Sequence, residues 1–121
     1  MAEIEEAAVP ERLLITRTTT GDGICVVVLA GEVDLDGSRH LRDVLLSSVR
    51  SAPGTVVDFR EVGFLDSSGI NVLITAHREA EARGVWFRLA APRDAVERVL
   101  RLVGVDALIA CYPSVEQALS V

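Results

Sequence analysis

The stretch Phe64-Leu65-Asp66-Ser67-Ser68-Gly69 sets two hydroxyls between a carboxylate and a glycine. Asp and Ser are the residues that cap helix N-termini, so the run reads as a helix start. A hydroxyl there can also carry a phosphoryl group, because a phosphate would meet unpaired backbone N–H groups and the positive end of the helix. The modification adds about −1.5 to −2 charges. A chain so modified stays folded while its surface changes, which makes a switch on binding rather than on folding. A second acidic loop, Gly31-Glu32-Val33-Asp34-Leu35-Asp36, comes some thirty residues earlier. If the strands before the two loops are neighbours, Asp34 lies beside the serines.

Nucleophilic catalysis fits the same residues poorly. A hydrolase elbow needs G-x-S-x-G, and no glycine precedes Leu65-Asp66-Ser67-Ser68-Gly69 at the required place. His77 falls about two and a half turns from Ser68 on the expected helix, roughly 13 Å by rise, too far for a proton relay. His40 sits in the first turn of another helix, and both histidines read as exposed helix residues. Asp34, Asp36 and Asp66 could offer oxygen ligands to Mg²⁺, but solvated loop carboxylates and caps are the preferred reading. Gly-rich phosphate loops are absent from the sequence.

The elements that must position these residues follow from apolar spacing. Leu13 to Thr18 and Ile24 to Ala30 read as two strands around the turn Thr20-Gly21-Asp22-Gly23, a connection short enough only for an antiparallel hairpin. A helix opens at Asp36-Gly37-Ser38, capped by Asp36 or Ser38, with Leu41, Val44, Leu45, Ser48 and Val49 on one face. Thr55 to Phe59 is a third strand. Ser67 to Arg83 is a helix facing inward through Gly69, Val72, Leu73, Ala76 and Ala80 and closed by Gly84. Val85 to Ala90 is a fourth strand. Pro92 begins a helix in its favoured first turn, with Val96, Val99, Leu100 and Val103 as its stripe and Gly104 as its end. Ala107 to Ala110 reads as a fifth strand, and Ser114-Val115-Glu116-Gln117 as a capping box before a last short helix. The alternation predicts an α/β fold, a mixed but mostly parallel sheet of about five strands with about four helices and an initial hairpin. Residues 1–12 read as a disordered acidic tail and 13–121 as one domain.

Composition narrows the function classes. The chain has 121 residues and a net charge of −6, and its twelve basic residues are all Arg. That balance excludes a basic face for nucleic acid or an anionic membrane. The lack of Lys removes Schiff-base and P-loop chemistry. Aromatics make up only 4%, too few for a base-stacking platform. Cys25 and Cys111 form no C-x-x-C, so they read as reduced thiols, with a redox disulfide between them left open. The longest apolar run, Ile24 to Ala30, is far below the roughly 20 residues of a membrane span. The acidic N-terminus resembles neither a signal nor a transit peptide. A cytoplasmic protein is the expectation.

Gly31-Glu32-Val33-Asp34, then Val56-Val57-Asp58-Phe59, then Val62-Gly63-Phe64-Leu65-Asp66-Ser67-Ser68-Gly69 resemble the STAS domain. More narrowly, they resemble the stand-alone anti-sigma factor antagonists of bacteria. The likeness extends over about residues 13–120, including Ala91-Pro92 and Leu102-Val103-Gly104-Val105. D-S-S-G alone is a weak string; joined to G-E-V-D in this order of elements it is specific. The resemblance implies that Ser68 is phosphorylated by a cognate anti-sigma factor, a serine kinase with a GHKL-type ATP fold. It implies that Asp34 aids the partner contact and Ser67 supports the loop. The implied partner face is Asp34, Leu35, Asp36, Asp66, Ser67, Ser68, Gly69 and Asn71, the last standing where family members often carry a small residue. The unmodified form would bind the kinase and release the sigma factor, and a PP2C-type phosphatase would restore it. The resemblance implies a binding module that is not an enzyme, without cofactor or metal, monomeric or weakly dimeric. The alternative on the same fold is a scaffold or sensor subunit of a signalling assembly with no phospho-switch.

Overall fold

The structure, a computed structural model, describes residues 12–120. The acidic tail expected over residues 1–12 therefore lies, except for Arg12, outside the described residues. In chain order the elements are β1 (Leu13–Thr19), β2 (Cys25–Val33), α1 (Leu35–Ser51), β3 (Gly54–Leu65), α2 (Ser67–Arg83), β4 (Trp86–Ala90), α3 (Asp94–Leu102), α4 (Val105–Leu108), β5 (Cys111–Tyr112) and α5 (Val115–Ser120). The sheet order is β1-β2-β3-β4-β5. β1 and β2 pair antiparallel and the other neighbours pair parallel. The fold is the α/β arrangement expected, with the initial hairpin in place. Its turn closes through Gly23 N–H donating to Thr20 O at 3.0 Å and Thr20 N–H to Ile24 O at 2.9 Å.

Alternation along the strands sorts the core. Val27, Leu29, Val57, Phe59, Phe87 and Leu89 meet Leu41, Leu45 and Val49 of α1 and Leu73, Ala76 and Ala80 of α2 in the main cluster. Val96 and Leu100 of α3 join it, with Val105 and Ile109. The intervening residues Val56 and Ala90 pack with Ala118 of α5, flanked by Trp86, Tyr112 and Leu119. Arg88 fastens α5 to this second face. Its guanidinium lies 3.8 Å from the Trp86 ring centroid and donates to Ala118 O at 2.8 Å.

Four local expectations are corrected. β2 and β3 run on past Ala30 and Phe59, because the two strands keep pairing to Val33↔Leu65 through shifts of register in β2. Polar residues alternate with buried Val62 and Leu65 there, so no continuous apolar run advertised the extension. The fifth strand is Cys111–Tyr112 rather than Ala107–Ala110. Gly104, at φ 80°, lets the chain turn and restart as α4, and Val105 and Ile109, one helical turn apart, are both buried. That single turn is the fifth helix where about four were expected. Pro92 is not in a helical first turn: α3 begins at Asp94, after Arg93 in an extended conformation. Arg93 is held there by Nε donating to Arg60 O at 2.9 Å. His77 is not exposed, since its side chain is only 13% accessible, with Nε2 3.4 Å from Glu81.

Cys25 and Cys111 are both free. Their strands are separated by β3 and β4, which at about 4.8 Å per step places them well beyond disulfide reach. Cys25 is buried and its Sγ donates to Ser48 Oγ at 3.3 Å. Partial burial, with the charges of Glu97 and Asp106, pushes the Cys111 thiol up to about 11.

One glycine is indispensable to the ladder. Gly31 sits at φ 117°, and a Cβ there would overlap the Arg12 carbonyl oxygen, which accepts the Glu32 N–H at 2.7 Å. Gly31→Ala should lower the unfolding free energy by about 3 kcal/mol. Urea denaturation checks this, and a loss below about 1 kcal/mol would show that the end of β2 tolerates a side chain.

Candidate functional site

β2 and β3 end together at the pair Val33↔Leu65. The next residue of each strand, Asp34 and Asp66, is the N-cap of the helix that follows. Asp66 N–H donates to Val33 O at 3.1 Å and ties the two exits to one another. The adjacency that the sequence left conditional is therefore real. Two helix N-termini, each closed by an aspartate, stand side by side at the carboxyl edge of the parallel strands.

Both caps use the same geometry. Asp34, with extended backbone, accepts at Oδ1 from Asp36 N–H at 3.1 Å and Gly37 N–H at 3.4 Å. Asp66 accepts at Oδ1 from Ser68 N–H at 2.9 Å and Gly69 N–H at 3.3 Å. This corrects the expected cap of α1: Asp36 is exposed within the first turn, and Ser38 is buried and donates to Leu35 O at 2.9 Å. The helix starts earlier than its apolar stripe because β2 delivers the chain to Asp34.

Ser68 is partly buried, and its Oγ donates to Asp66 Oδ1 at 2.5 Å. That bond, together with the two amide donors, holds the Asp66 carboxyl below its ordinary value against a smaller opposing cost of burial. Ser67 is exposed, Gly69 is buried and Asn71 is exposed. A Cβ on Gly69 would press into the side chains of Leu65 and Val33, so glycine lets the first turn of α2 sit down on the two strand ends. The Ser68 hydroxyl engages a carboxylate rather than an imidazole. Among the described residues, no group of three or more His, Cys, Asp or Glu side chains could hold a metal ion. Nor is any described helix long and apolar enough to cross a membrane.

Two residues of the site, Phe64 and Arg12, were not singled out from sequence. Phe64, paired across the ladder with Glu32, is 48% exposed, and it adds apolar surface to the expected Leu35, which is 73% exposed at the start of α1. The signal was present as an aromatic two residues before Asp66. Arg12 is the other. Its guanidinium reaches Glu32 at 3.3 Å and Asp34 at 3.5 Å, partly neutralising the acidic loop. It had been read as tail because nothing in its spacing marks the start of β1.

Asp66→Ala should cost about 1 kcal/mol, the usual worth of an N-cap. The folded-state pKa of Asp66 is depressed, so the ionised cap's contribution is complete above the ordinary carboxylate value and fades as pH falls through the lower folded one. Thermal melts of both chains should differ by a constant amount from neutral pH to about pH 5 and converge below about pH 4. A difference that grows on acidification would contradict the cap assignment.

The STAS domain pattern matches residues 16–118. A Mycobacterium tuberculosis protein provisionally named anti-anti-sigma factor Rv2638 is 28% identical over 107 residues, covering 84% of this chain and 72% of its own. The crystal structure of an anti-sigma factor antagonist from Mycobacterium paratuberculosis superposes with a TM-score of 0.84 at 26% identity, covering 92% of this chain and 94% of that one. The Bacillus cell fate determinant SpoIIAA in its phosphorylated form has a TM-score of 0.69 at 20% identity, covering 88% and 96%, a likeness of fold. With the pattern running from β1 to α5 and the paired strand exits in place, the chain belongs to the STAS domain family.

Proposed function

We propose that this chain is an anti-sigma factor antagonist whose binding is switched by phosphorylation of Ser68. The observation that carries the reading is the Ser68 hydroxyl at the capped start of α2, next to the capped start of α1, on a surface that also exposes Leu35 and Phe64. The names of its mycobacterial relatives support the same role.

The unmodified surface suits a protein partner. Leu35 and Phe64 supply apolar contact, Asp34, Asp36 and Asp66 supply charge, and Ser67, Ser68, Gly69 and Asn71 line the first turn. The partner is an anti-sigma factor that is itself a serine kinase of the GHKL type, and binding it releases the sigma factor. Phosphorylation places about −1.5 to −2 charges beside Asp34 and Asp66, adding repulsion and desolvation cost at the contact. A PP2C-type phosphatase resets the surface. The chain works as a cytoplasmic binding module, monomeric or weakly dimeric, and not as an enzyme.

Ser68→Ala should bind the anti-sigma partner in the presence of ATP as the unmodified chain does in its absence. Ser68→Asp should bind about 100-fold more weakly, corresponding to the few kcal/mol of a misplaced like charge. Isothermal titration calorimetry against the purified partner measures both. Equal affinity for the two variants would remove the switch and leave a scaffold role on the same fold.

A further inference from the structure

The two edges of the sheet are built differently. β5 has two residues and is followed by Pro113, so it offers little to a further strand. β1 has seven, Leu13–Thr19, pairs with β2 residue for residue without a bulge, and contains no Pro and no Lys. Its hydrogen-bond parity follows from the two ends of the ladder, where Thr20 N–H donates to Ile24 O and Glu32 N–H to Arg12 O. With the register unbroken between them, the even-numbered residues turn their backbone groups to β2. Those of Leu13, Ile15, Arg17 and Thr19 point to the open edge, where no strand among the described residues meets them. The side chains do not screen this row. Ile15 leans on the main core, and Arg17, the one charge of the strand, is drawn over α1 by donating to Ser47 Oγ at 3.2 Å and Ser48 Oγ at 3.3 Å. On the opposite face Thr16 and Thr18 are exposed, and Leu14 is 61% exposed.

We propose that β1 is the contact of a symmetric dimer, its open edge taken by the same strand of a second copy running antiparallel. The choice of occupant comes from the strand itself, which is self-complementary about Thr16. With the twofold axis there, Ile15 exchanges both backbone hydrogen bonds with the partner's Arg17, and Leu13 with the partner's Thr19. Each pairing recurs by symmetry, so every outward N–H and C=O of β1 is satisfied. Between them Thr16 faces the partner's Thr16 and Leu14 faces the partner's Thr18, in the non-hydrogen-bonded positions where side chains come closest. The threonine methyl covers part of exposed Leu14, and no two like charges are opposed. An axis at Ile15 would leave Thr18 and Thr19 unpaired, and an axis at Arg17 would set two guanidinium groups opposite one another. The two sheets become one, continuous through β1. A single strand pair buries little surface, so the association is weak and depends on concentration. The inference takes up the weakly dimeric alternative and is independent of the reading of Ser68.

Sedimentation equilibrium of the full chain from about 10 µM to about 1 mM should show a monomer–dimer equilibrium. Thr16→Lys and Thr16→Glu each set like charges opposite one another at the axis without touching the β1–β2 ladder. Either alone should weaken dimerisation about tenfold. An equimolar mixture of the two should restore it, because lysine then faces glutamate, a rescue that loss of folding in either variant could not produce. Thr16→Cys should form an intermolecular disulfide under mild oxidation, since Cα atoms paired at the axis lie about 4.5 Å apart. Thr18→Cys, which faces the partner's Leu14, should not, and the parent chain treated alike gives the background from Cys25 and Cys111. A wild-type chain that stays monomeric to about 1 mM overturns the proposal. So does a dimer that neither charge weakens, that mixing fails to restore, or that cross-links through Thr18→Cys in preference to Thr16→Cys, each of which places the contact in another register or on another face.

Discussion

The pair Val33↔Leu65 is the constraint on which the rest depends. Two parallel strands that end in register hand their chains to two helices at the same height. Each helix begins with unpaired N–H groups that must find acceptors. An aspartate immediately after each strand supplies them, so Asp34 and Asp66 are capping residues before they are anything else. Their fixed carboxylates are then available to the surface at no further ordering cost, since the helices already hold them.

Close approach makes this arrangement possible. Gly31 lets β2 run under the Arg12 backbone, and Gly69 lets α2 settle onto Val33 and Leu65. Behind the strand ends lies an aliphatic core with Leu41, Leu45, Leu73 and Phe59 fully buried. A close-packed core resists deformation, and a charge added at Ser68 consequently acts on the outer surface. The Ser68–Asp66 bond then has two consequences from one geometry: it distinguishes Ser68 from Ser67, and it holds a carboxylate beside the hydroxyl that a phosphate would replace.

Much of this was legible in the sequence where the physics is local. The hairpin turn, the inward faces of α1 and α2 and the closing glycine at residue 84 all follow from spacing and turn chemistry. The segment Asp66–Gly69 reads as a helix start for the same reason. The cap of α1 lies two residues before Asp36 and four before Ser38, the two expected caps, because apolar periodicity begins at Leu41 and does not register the strand that delivers Asp34. The strand assigned to Ala107–Ala110 failed because β propensity there lost to the burial of Val105 and Ile109 at helical spacing. The side-by-side placement of Asp34 and Asp66 is a property of the β2–β3 register, which only tertiary pairing decides. The contact of Arg12 with Asp34 and Glu32 depends on the same pairing.

The central claim is that Ser68 is a phosphoryl acceptor whose modification ends a protein contact. Incubating the chain with its GHKL-type anti-sigma partner and ATP, then separating complex from free protein by size exclusion and weighing each by intact-mass spectrometry, addresses it directly. The account predicts that the released chain carries one added mass of about 80 Da, a single phosphoryl group, located on Ser68, and that the complexed chain carries none. A phosphorylated chain that stays in the complex would contradict it.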